Sequence, residues 1–130
     1  MDRVTQRQWV VKLIFEIEFN KANVMDIDRI LENHELENQD FIKDSLYSIV
    51  TNLDKIDKII EDNLTSVNFN QINRLDKAIL RTSINEFVLQ KTVPLNVSIN
   101  EAVEIAKLFS KEDSYKFVNG VLSSVAKEYS

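Results

Sequence analysis

Cysteine is absent from the 130 residues, and glycine and proline occur once each, as Gly120 and Pro94. Without cysteine there is no disulfide, no thiolate metal site and no thiol redox chemistry. A single glycine is still more restrictive. Hairpin turns draw on glycine, and phosphate-cradling loops need several close together. Walker-type and dinucleotide-binding loops are thereby excluded, and the chain is expected to turn on Asn, Asp and Ser. No apolar run approaches the span of a membrane helix, and the N-terminus lacks the basic-then-apolar order of a secretory signal. A cytoplasmic location is the default expectation, and the fold class that survives these absences is all-α.

What is present fits one globular domain spanning residues 1–130, with 44% hydrophobic and 28% charged residues. The formal net charge of −5 is unevenly spread. Residues 22–62 carry eleven acidic against four basic side chains, whereas the segments before and after them each balance to +1. Phosphate neutralisation supplies most non-specific nucleic-acid affinity, so any nucleic-acid contact must come from a local patch.

Apolar spacing predicts the helices. Over 3–20, Val10, Leu13, Ile14 and Ile17 form one buried stripe, leaving Arg3, Arg7 and Lys12 on the exposed side. Trp9 and Phe15 lie at the stripe's edges, where periodicity favours padding over a stacking surface. A short helix follows over 24–34, with Val24, Ile27, Ile30 and Leu31 inward. His34 lies at its end without the partners a metal site needs. Asn38 is the expected N-cap of a long helix over 39–63, whose Ile42, Leu46, Ile49, Leu53, Ile56 and Ile60 make a coiled-coil-like seam. Its acidic residues read as a solvated face, with Asp54 paired to Lys58. Asn70 is the next expected cap, for a helix over 71–90 that is apolar on several sides.

Pro94 breaks the chain, after which Val97, Ala102, Val103, Ala106 and Phe109 share one side of a helix. A polar connection, Lys111–Ser114, leads to a last helix with Phe117, Val118, Val121, Leu122 and Val125 inward. Gly120 inside that helix is expected to admit close approach of a neighbouring backbone. Asp113 is a candidate N-cap. No nucleophile–base set or metal-ligand spacing is present, and Glu101 with Glu104 reads as an exposed pair. Enzymatic activity and cofactors are not expected.

Three motifs, in order, carry a family resemblance. They are Arg74-Leu75-Asp76-Lys77-Ala78-Ile79-Leu80-Arg81 with Asn85-Glu86, then Val93-Pro94 leading to Asn100-Glu101-Ala102-Val103-Glu104-Ile105-Ala106-Lys107, and then Glu112-Asp113-Ser114 with Lys116-Phe117-Val118-Asn119-Gly120. This series resembles the NusB family of bacterial transcription antitermination factors, densely over 72–126 and thinly over 1–70. The resemblance implies about six to seven helices in two packed bundles. It also implies binding of boxA-type single-stranded RNA as a heterodimer with NusE, a small-subunit ribosomal protein, within an RNA polymerase complex containing other Nus factors. Some members of the family form homodimers. On the same basis the RNA-binding positions are Arg3, Arg7, Lys12, Phe15, Asp113, Ser114, Lys116, Phe117 and Asn119, and Asp76 is a partner-binding position. Relatives often start with a run of arginines, whereas this chain has only Arg3 and Arg7 before Lys12, which implies weak RNA binding by the free protein. A similar module also occurs at the N-terminus of certain ribosomal RNA cytosine methyltransferases, which makes a targeting domain of such an enzyme one alternative and a self-associating bundle another.

Overall fold

The computed structural model describes residues 1–130 as seven α-helices and no strand: α1 Arg3–Phe19, α2 Ile27–Asn33, α3 Asp40–Thr51, α4 Leu53–Asp62, α5 Arg74–Ile84, α6 Leu95–Phe109 and α7 Ser114–Tyr129. The first three pack together, and α6, α7 and α4 gather at the other side of α5. Helix α5 touches members of both groups, and 30 buried apolar residues join them in one continuous core. The two-bundle expectation therefore holds, with α5 as the shared wall. Its many-sided apolar pattern exists for that reason.

Sequence periodicity places the long helix over 39–63, but the structure divides it at Asn52. Asn52 leaves helical geometry (φ −108°, ψ 22°), and its side-chain amide donates to the Ser48 carbonyl at 2.8 Å. An amide that competes for backbone acceptors weakens the helix at its own position. The seam survives the break, since Ile42, Leu46, Ile49, Ile56 and Ile60 are all buried and only Leu53 is partly exposed. Gln39 rather than Asn38 stands at the N-cap of α3, without a side-chain bond. Lys58 pairs with Asp62 at 2.6 Å and not with Asp54, which stays in the first turn of α4 where the helix dipole favours an anion.

Helix α5 begins three residues later than expected. Asn68 and Gln71 cap a 3₁₀ turn over Phe69–Gln71, so Asn73 becomes the N-cap, accepting from the Asp76 amide at 2.8 Å. At its far end the helix widens into a π-helical segment, Asn85–Gln90. This is where two polar residues enter the core. Asn85 accepts from the Ser48 hydroxyl at 2.6 Å and donates to Gln90 at 3.0 Å, and Glu86 reaches Arg7 and Ser98.

Asn, Asp and Ser stand at most helix ends as expected, among them Asp2, Asn20, Asn23, Asn63, Asn73 and Ser110, but the positive-φ positions depart from that pattern. Left-handed backbone falls on Lys21, Glu35 and Lys91 (φ 53°, 57° and 54°), each closing a helical segment, and not on Asn, Asp or Ser. Val24 is turned outward because Val24–Asp26 is a 3₁₀ turn that falls outside the period of α2. On α6 the buried stripe is Ser98, Ala102, Ile105 and Ala106, leaving Val97 and Phe109 each 44% exposed. A Cβ built on Gly120 meets nothing within 4 Å, so the expected close backbone approach does not occur. Gly120 lies on the exposed side of α7.

Candidate nucleic-acid interface

Phe15 near the end of α1 and Phe109 at the end of α6 line the same groove. Together with Arg74, Lys111 and Ser110 they line an open groove of about 440 Å³. Phe15 leans on the core with part of its ring exposed and stacks on Phe19, centroids 6.3 Å apart and planes 16° from parallel. The Arg74 guanidinium lies 5.4 Å from the Phe19 ring centre, and the Lys12 ammonium lies 4.9 Å from that of Phe109. Three aromatic rings are thus accompanied by Arg74 and Lys12 around this groove. That arrangement suits a strand with stackable bases and a charged backbone.

The charges of this edge differ in availability. Glu18 accepts from Lys77 at 2.9 Å and from Arg81, and lies 3.7 Å from Arg74. Arg81 also makes a two-pronged bond to Asp57, at 2.8 and 2.9 Å, tying α5 to α1 and α4. Burial alone would raise the Glu18 carboxyl, but hydrogen bonds and charge from Lys77 and Arg81 outweigh it and hold it below the usual carboxylate range. Lys77 and Arg81 are therefore spoken for. Lys12 and Lys111 form no ion pair within the protein and remain open to an external anion.

Beneath the groove, Asp76 is 4% exposed. Its carboxylate accepts from Ser110 at 2.6 Å, from Ser114 at 2.9 Å and from the Asn73 amide at 3.0 Å. One buried anion thus fastens the start of α5 to both ends of the α6–α7 connection. Asp76 acts by positioning that connection, because its oxygens are committed inside the protein. Ser114 is buried for the same reason.

The remaining expected positions do not form one surface. Arg7 is 4% exposed, which corrects its placement on the outer side of α1. Its Nε donates to Glu86, and Ser98 donates to the same carboxylate at 2.9 Å. Arg3 is exposed but lies about one turn further toward the N-terminus than Arg7, with its guanidinium 4.0 Å from the Phe41 ring centre. Asp113 occupies the N-cap position of α7 without a capping bond, and its carboxylate turns to Lys116 at 3.7 Å. Lys116 and Phe117 line a separate hollow against residues 63–67, with Phe117 packed on the core. Asn119 is exposed and faces a furrow between α6 and α7. His34 bonds to Glu16 at 3.1 Å and lies against Trp9.

The sequence pattern missed Phe19, Phe109 and Arg74 as site residues. The Phe15–Phe19 spacing of four was the available signal for an exposed aromatic pair. Phe109 was hidden by its apparent match to the inward stripe of α6.

The NusB family model matches residues 4–127. The chain belongs to the NusB family. Relatives include the transcription antitermination protein NusB of Clostridium acetobutylicum, 39% identical over 96% of this chain and 95% of the relative. The NusB of Listeria innocua is 37% identical over 98% of each. Among solved structures, T. maritima NusB superposes with a TM-score of 0.86 at 32% identity, covering 99% of this chain and 93% of that one. A structure of the antitermination factors NusB and NusE in complex with dsRNA shares the fold, with a TM-score of 0.83 at 24% identity over 99% of this chain and 100% of that one. NusB proteins are thus similar to this chain over nearly their whole length.

Proposed function

We infer that this protein is a non-enzymatic transcription antitermination factor that binds boxA-type single-stranded RNA together with NusE. The observation that carries the reading is the groove at Phe15 and Phe109, flanked by the unpaired Lys12 and Lys111 and by Arg74. A base entering it stacks on an exposed phenyl ring, while the neighbouring phosphates meet the cations. Each stacked base contributes about 1–3 kcal/mol in such sites. Phe15 stacks but offers no hydroxyl to a base.

Arg7 has no direct part in this reading. It holds α1 against the π-helical segment, and so sets where Lys12 and Phe15 stand one and two turns later. Asp76 supports the partner surface from beneath through Ser110 and Ser114. With few cations free, the protein alone binds RNA weakly, and NusE supplies the rest of the contact surface. The pair then joins RNA polymerase and other Nus factors in the cytoplasm. The antitermination name carried by the relatives favours this reading over a methyltransferase-targeting module. A NusB and NusE assembly with dsRNA exists for a protein of the same fold.

Sedimentation of the protein with and without NusE, at several concentrations, tests the pairing. A one-to-one complex with NusE is expected to replace any homodimer. A homodimer that persists with excess NusE would overturn the reading.

A further inference from the structure

The furrow between α6 and α7 is separate from the groove at Phe15 and encloses about 760 Å³. Leu95, Ile99 and Val103 recur every fourth residue along its α6 wall, and all three are half-buried. Tyr115 and Ala126 of α7 complete an apolar floor. Lys116 and Lys127 stand on its α7 rim, and no Asp or Glu side chain is among the lining residues. Lys127 forms no ion pair, while Lys116 has only the long contact to exposed Asp113. In a protein of net charge −5, a furrow lined by two lysines and no acidic side chain stands out.

We propose that this furrow docks an acidic amphipathic helix of a partner protein. An aliphatic row at a spacing of four matches the i, i+3/i+4, i+7 anchors of a helix laid in a groove. The lysine rim selects carboxylates on the flanks of the incoming helix and disfavours basic ones. Single-stranded RNA fits less well. Tyr115 is the only aromatic in the furrow, so successive bases would find no second ring to stack on. The furrow lies apart from Phe15 and Phe109, and the proposal stands whether or not those rings bind RNA.

The test is an amide NMR titration of the isotope-labelled full chain. The probe is a synthetic 16-residue amphipathic peptide with leucine anchors and glutamate flanks; a lysine-flanked peptide and a single-stranded RNA of similar charge serve as controls. The glutamate peptide is expected to shift Ile99, Val103, Asn119 and Lys127 saturably, and to bind at least about tenfold more tightly than the lysine peptide. Lys127→Glu, on an exposed side chain that leaves the fold intact, is expected to weaken it severalfold. Val103→Asp is expected to abolish the shifts, with its circular dichroism spectrum reporting on the fold. Absence of shifts in the furrow, equal binding of both peptides, or furrow shifts caused by RNA alone would overturn the proposal.

Discussion

Arg7 on α1 donates through Nε to both carboxylate oxygens of Glu86, at 2.8 and 3.1 Å, inside the core. The side chains are 5% and 1% exposed. Burial pushes the Glu86 carboxyl above its ordinary range, while the charge and hydrogen bonds of Arg7 and the Ser98 hydroxyl pull it partly back. Breaking such a pair from one side leaves an uncompensated buried charge, at about 3–5 kcal/mol. Arg7→Ala should therefore lose about that much stability in urea denaturation. The apolar pair Arg7→Met with Glu86→Leu should recover most of it. A loss below about 0.5 kcal/mol for Arg7→Ala would mean that the pair does not brace the fold.

Glu18 predicts an acid dependence. Its carboxyl is held below the usual range, so ionised Glu18 contributes stability above the unfolded value of 4.5, and that contribution is lost as pH falls through the lower folded value. The site is partly solvated, which limits the effect to at most about 1 kcal/mol. Glu18→Gln should be less stable than the parent at pH 7, with the gap closing in acid. A gap that is constant with pH would contradict the assignment.

Gly120 occupies an exposed helical position with open space around its missing Cβ. Gly120→Ala should stabilise the protein by roughly 1 kcal/mol, the ordinary difference in helix propensity. A lower melting temperature for this variant would reveal a steric demand that the free protein does not display.

Phe109 distinguishes a binding ring from a packing ring. It is 44% exposed, so Phe109→Ala should cost far less stability than truncating a buried residue such as Leu122, where about 2–5 kcal/mol is usual. Its RNA affinity should nonetheless fall by about 1–3 kcal/mol. A large stability loss with unchanged RNA binding would return Phe109 to the core.

The all-helical class, five of the seven helices and most of the core were legible because apolar spacing records burial directly. The stripe of α1 and the seam of α3 and α4 appear as periodicity placed them, apart from Leu53. The interruption at Asn52 and the π-helical widening at Asn85 were not legible, because both arise from side-chain hydrogen bonds and not from hydrophobic pattern. Arg7 failed for a related reason. Its burial depends on Glu86, 79 residues away, and no local spacing reports such a partner. The candidate site was half legible: Lys12 and Phe15 lie on it, whereas Phe109 and Arg74 join them only through the meeting of α1, α5 and α6.

The central claim is that the groove at Phe15 and Phe109 binds RNA in concert with NusE. Fluorescence anisotropy of a labelled boxA RNA, titrated with this protein alone and with an equimolar mixture with NusE, tests it most directly. The account predicts weak, salt-sensitive binding alone, and binding at least about tenfold tighter with NusE, a coupling of roughly 1.4 kcal/mol or more. Tight binding by the free protein that NusE does not improve, or no binding by the mixture, would contradict it.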